Sequence, residues 1–139
     1  MINKNTAAAL FRLAEQEAQG LSTAHVVVKM MQRLDLELDE NEEGAFRRLQ
    51  ELANGFPLVP YEEATSVRNE VSRQFGAGES PIIGAVVWAL TPPTSSSYPP
   101  SYALGVCLFN LAESVGPERV SKLFIEVCDG LRTERLQTK

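Results

Sequence analysis

Residues 80–90 read SPIIGAVVWAL, and whether this run is a helix or a strand decides the fold. Ser80 followed by Pro81 is a helix-opening pair: a side-chain oxygen to cap the first turn, then a residue whose missing N–H costs nothing there. Against it stands the β-branched density of Ile82, Ile83, Val86 and Val87, which suits a strand equally well. Taken with YALGVCLFNLA at residues 102–112, the run can be read as one arm of a buried β-hairpin spanning residues 81–112. The helical reading is favoured. The second run continues through NLAESVG to Gly116-Pro117, a pair that stops one helix and starts another.

The rest of the chain shows helical spacing. Ala7, Leu10, Phe11, Ala14 and Ala18 form one apolar stripe, ended by Gly20, and Ser22 is placed to cap a second helix carrying Val26, Val27, Met30, Met31 and Leu34. Asp39 and Glu42 have capping-box spacing and predict a third helix with Ala45, Phe46, Leu49, Leu52 and Ala53 turned inward. Gly55 suits a left-handed cap for that helix, and Pro57 cannot continue it. A fourth helix is expected from about residue 61 to 75, with Ala64, Val67, Val71 and Phe75 on its apolar side, broken by GAG at 76–78. The last helix, residues 117–131, puts Val120, Leu123, Phe124, Val127, Cys128 and Leu131 on one face and Glu118, Arg119, Lys122 and Glu126 opposite.

These elements predict an all-α protein: a single globular domain over residues 1–139, built as a compact irregular bundle of six to seven short helices. Alternate helix starts recur every 34 to 40 residues, so a short helix-pair solenoid is the other architecture to weigh, though no repeat signature accompanies the spacing. Residues 80–117 carry one charged side chain, Glu113. A helix apolar on all sides is normally surrounded by other helices, so the fifth and sixth are expected at the centre. The block TPPTSSSYPP, residues 91–100, then has to leave the core and return to it. It reads as a stiff, solvated connector, or as an exposed polyproline-like loop presenting Tyr98 to a partner.

Composition narrows the function. Hydrophobic residues make up 44% of the chain and charged residues 22%, ordinary values for a folded domain. Arg12 and Glu15 interrupt the Ala-rich N-terminal stretch, which argues against a secretory signal, and the longest apolar runs fall short of the ~20 residues of a membrane span. A cytoplasmic protein that does not enter the membrane is expected. Cys107 and Cys128 fall on apolar helical faces and read as free, buried thiols.

The net charge is −5, and it is concentrated. Residues 35–63 hold nine acidic side chains against Arg47 and Arg48. With no basic patch, nucleic-acid binding is not expected, because phosphate contacts dominate that affinity. A protein with a basic surface is the better electrostatic match. Glu37, Asp39, Glu40, Glu42 and Glu43 are the candidate partner-binding residues, with Tyr98 as a further one.

Catalytic signatures are missing. There is no phosphate-binding loop, dinucleotide fingerprint, nucleophile elbow, HExxH or CxxC. His25 is the only histidine, which removes any site needing two, and no cofactor or metal site is expected. Asp35, Glu37, Asp39 and Asn41 alternate as in a calcium loop, but the sixth and twelfth positions are Glu40 and Phe46 rather than Gly and Glu. Leu36 and Leu38 alternate with these acids, as in an extended segment with one apolar face.

The expected function is therefore a non-enzymatic protein–protein interaction module: an inhibitor, immunity protein, secretion chaperone or adaptor. One alternative is a helical small-molecule binder whose uncharged centre is lined by Trp88, Phe109 and Met30. A third is an enzyme working through carboxylates such as Glu62, Glu63 and Glu113.

Overall fold

The computed structural model describes residues 2–18, 20–76, 80–91 and 101–137. Seven helices account for most of the described residues, and there is no strand among them: α1 (Lys4–Glu17), α2 (Thr23–Arg33), α3 (Glu40–Gly55), α4 (Tyr61–Val71), α5 (Pro81–Ala89), α6 (Tyr102–Val115) and α7 (Pro117–Gln137). A π-helical turn, Ser72–Gly76, prolongs α4. The proline block 92–100, with Tyr98, lies outside the described residues, as do Ala77 and Gly78 of the GAG break.

Local chemistry sets the helix starts. Ser80 Oγ accepts the Ile83 N–H at 3.1 Å and Pro81 occupies the first turn, so residues 81–89 are helical. The hairpin alternative is thereby overturned: the cap is a contact three residues away, whereas β-branching only tilts a preference. Asp39 and Glu42 form the expected reciprocal box, with Glu42 N–H donating to Asp39 at 2.8 Å and Asp39 N–H to Glu42 at 3.0 Å. Asn3 caps α1 through Thr6 N–H at 2.8 Å.

Three helix ends carry features that the spacing does not give. Gly55 is not in the left-handed region; it is the last residue of α3, and the chain turns at Phe56 (φ −142°, ψ 133°). The residue before a proline is driven to extended backbone, so Pro57 sets the stop. At the end of α2 the left-handed position is filled by Asp35 (φ 47°), one of the few non-glycine types that tolerate it. The last helix also runs beyond residue 131, to Gln137.

The core is apolar throughout, with no buried polar or charged residue among those described. Helix α6 lies at its centre, packed on α5, α1 and α7, while α5 also meets α2 and α3. The expectation for the two uncharged helices holds. Helix α1 packs on α6 and α7, and α2 on α7, so the start of the chain closes against its end. That excludes the helix-pair solenoid, in which each repeat meets only its sequence neighbours.

Arginines tie the outer helices together. Arg119 of α7 donates to the Leu34 carbonyl at the end of α2 at 3.1 Å, and Arg132 of α7 donates to the Glu17 carbonyl at the end of α1. Each supplies a partner for a carbonyl that its own helix leaves unsatisfied. Arg48 of α3 bridges Glu51 at 3.0 Å and Glu70 of α4 at 2.8 Å.

Candidate functional site

The acidic segment begins where Asp35 turns the chain out of α2. Residues 36–38 then run outside regular secondary structure to the Asp39 cap, and the expected alternation of burial is present: Leu36 and Leu38 are half-buried and pack on the core, while Glu37 is exposed. Asp39, Glu40 and Glu43 are exposed and Glu42 is half-buried. So many like charges without counter-ions are tolerable only in water.

These acids are not equivalent. Asp39 and Glu42 are committed to the capping box. Glu43 pairs with Arg47 one turn on, at 3.2 Å, with both side chains more than half exposed. Glu37 and Glu40 make no ion pair among the described residues, so their charge is directed wholly to solvent. All of them lie beside the first turn of α3, whose dipole favours carboxylates and holds the group on a rigid element.

Beside this edge is a groove of about 410 Å³. The 36–38 segment forms one wall with Leu36 and Leu38; α3 forms the other with Glu43, Phe46, Arg47 and Gln50. The four α3 positions follow i, i+3, i+4, i+7 spacing and so lie on one face. The spacing predicts Phe46 as a core residue; it is half-buried, packed against the core and also lining the groove. Of the α3 wall periodicity points only to Phe46, and alternation points to the two leucines; their convergence is a tertiary fact.

A second cleft, of about 460 Å³, lies between the α1–α2 turn, the α3–α4 connection and α7. Its walls include Leu21, Leu131 and Leu58, the last 74% exposed, and the sole histidine, His25, is there. His25 Nδ1 is 2.7 Å from Ser22 Oγ, which also accepts the His25 backbone N–H at 3.5 Å. The serine is thus engaged in capping α2. The pair is three residues apart on one helix start, and its geometry explains a helix terminus rather than an activated nucleophile.

The other residues singled out from sequence are dispersed. Met30 is sealed in the core. Trp88 meets Tyr102 edge-on at 5.8 Å, and Tyr102 in turn packs on Phe11 at 5.4 Å. Phe109 is half-buried on α6. Neither cleft is lined by Trp88, Phe109 or Met30. Glu62, Glu63 and Glu113 are exposed. Among the described residues no three His, Cys, Asp or Glu side chains are grouped to hold a metal ion, and no helix is long and apolar enough to cross a membrane.

Both cysteines are free and fully buried, as their spacing predicts. Cys107 donates to the Ala85 carbonyl at 3.3 Å, and burial drives its thiol pKa far up. Burial pushes Cys128 up to about 11, with Arg132 pulling back and Glu17 and Asp129 adding to the rise. Thiols held protonated are poor nucleophiles. Native protein at about pH 8 is expected to resist iodoacetamide at both sites and to take up two equivalents once denatured, as read by intact mass. The native state also keeps a proton that the unfolded chain releases above the ordinary thiol range. The associated stability is therefore full below about pH 9 and is lost as pH rises toward about 11.

No family model, curated relative or solved structure matches the chain.

Proposed function

We propose that this chain is a non-enzymatic protein-binding module that meets a partner's basic surface through the acidic edge of residues 37–43. The observation that carries this reading is the state of Glu37 and Glu40: exposed, without an ion pair among the described residues, and beside the exposed Asp39 and Glu43 on a capped helix start. Carboxylates held together on a rigid element produce a local negative field. Such a field steers an oppositely charged partner and raises its association rate. Charges this exposed act through rate and selectivity more than through affinity, and their effect fades as salt shortens the Debye length.

The test reverses the two uncommitted acids. Asp39 and Glu42 are left alone because disturbing the box costs about 1 kcal/mol of stability, and Glu43 because lysine there would face Arg47 one turn away. E37K/E40K is expected to stay folded, losing no more than the roughly 1 kcal/mol that a cation in the first turn of α3 costs against the helix dipole. Partners cross-linked to wild-type protein in its host should associate with the double variant about tenfold or more slowly at low salt, the two rates converging at high salt. Equal rates at both salts would leave these acids with no role beyond solvating a helix start.

A further inference from the structure

We propose that the groove between the Leu36–Leu38 segment and α3 receives a stretch of the partner that carries apolar side chains flanked by lysine or arginine. The inference rests on the protein-binding reading above and names what that surface takes. The groove is built for two chemistries at once. Its floor and walls offer Leu36, Leu38 and Phe46, all half-buried, so apolar surface is already fixed in place and still partly wet. Covering it removes that surface from water without first ordering any side chain.

Exposed carboxylates adjoin that apolar surface: Glu37 lies between the two leucines in the chain, and Glu40 and Glu43 follow on the first turn of α3. Arg47 is the one cation lining the groove, and Glu43 already offsets it at 3.2 Å. An acidic or neutral apolar segment would fill the same space but would leave the neighbouring Glu37 and Glu40 carboxylates unmatched. A purely basic segment would match them but leave the leucines and Phe46 wet. Only a segment carrying both satisfies the groove.

Three peptides separate these cases in titrations followed by amide and Phe46 ring signals: a short leucine–lysine peptide, an oligolysine of equal charge, and a leucine–glutamate peptide of equal length. The leucine–lysine peptide is expected to move the signals of Leu36, Leu38, Phe46 and Gln50. It should bind at least about tenfold tighter than oligolysine, since one well-covered apolar anchor is worth that factor or more. The leucine–glutamate peptide should leave these signals in place.

Leu38→Ser should reduce leucine–lysine binding to the oligolysine level and leave oligolysine unchanged. Because Leu38 also packs on the core, Gln50→Lys serves as a second variant at a groove position where lysine is a good helix former. It should weaken the leucine–lysine peptide more than oligolysine. Equal affinity of those two peptides for wild-type protein, or leucine–lysine shifts confined to the cleft at Leu58 and His25, would overturn the groove while leaving the acidic edge as a basic-partner surface. Failure of oligolysine to move residues 37–43 at low salt would overturn that wider reading as well.

Discussion

Replacing Phe124 by alanine is expected to remove about 3–5 kcal/mol of stability, the largest loss for any single side chain in α7. Phe124 is the largest side chain that is completely buried, and α7 packs against α6, α2 and α1. Truncation forfeits the transfer free energy of the ring and leaves a cavity that three neighbouring helices would have to collapse together. Because a domain of this size is stable by only about 5–15 kcal/mol, such a variant would lose a large share of its stability. Urea unfolding followed by the single tryptophan, Trp88, measures this directly. The adjacent Ile125 is 39% exposed, and its alanine variant should lose well under half as much. A loss below about 1 kcal/mol for Phe124→Ala would mean that the ring does not face the core.

Gly105→Ala is expected to destabilise the protein even though alanine is the better helix former by about 1 kcal/mol. Gly105 lies within α6, where α1 approaches closely. A Cβ built there falls 2.2 Å from Phe11 Cδ1 and 3.0 Å from Phe11 Cγ. Those atoms belong to the base of the ring, which cannot swing away without disturbing its 5.4 Å contact with Tyr102. Overpacking of this kind costs about 1–3 kcal/mol, enough to outweigh the gain in propensity. With Phe11→Ala in the background the obstacle is gone, and the same Gly105→Ala change should become stabilising by up to about 1 kcal/mol. The sign change in a double-mutant cycle is the diagnostic. Additive effects would show that the α1–α6 separation is not set by this contact.

These two positions differ in how far they could be read beforehand. Phe124 belongs to a six-residue stripe whose period alone places it inward, and burial follows from amphipathicity on any helix that packs. Gly105 carries no such signal. In YALGVCLFNLA it is one small residue among apolar ones, and its role appears only when Phe11, ninety-four residues earlier in the chain, is brought against it.

The acidic site divides in the same way. The exposure of Glu37, Asp39, Glu40 and Glu43, the Asp39–Glu42 box and the inward lean of Leu36 and Leu38 all followed from sequence; Glu42, expected to be exposed with them, is half-buried because its side chain turns back to accept the Asp39 N–H. Each is governed by solvation of charge, or by neighbours two to four residues apart. The Glu43–Arg47 pair is of the same local kind, an i, i+4 contact on one helix. What was not legible is that Phe46, Arg47 and Gln50 stand opposite those leucines across a groove. Gly55 was misassigned for a related reason. The left-handed preference of glycine is permissive, whereas the constraint of Pro57 on Phe56 is steric.

By itself, then, the sequence determined what short-range physics can determine: helices over most of the chain, their starts at Ser22, Asp39 and Ser80, an apolar pair of helices destined for the centre, and a concentrated patch of negative charge. Capping, periodicity and charge solvation act within one helical turn or against bulk water, so no knowledge of the fold is needed to apply them. Only the tertiary structure decided which helix faces meet. It set the closing of α1 and α2 on α7 through the Glu17 and Leu34 carbonyls, the close approach of α1 to Gly105, and the groove beside the acids. The contacts between helices join residues tens of positions apart, the groove joins a loop to the helix after it, and all depend on how helices cross when a shared core is packed without voids, which no single segment encodes.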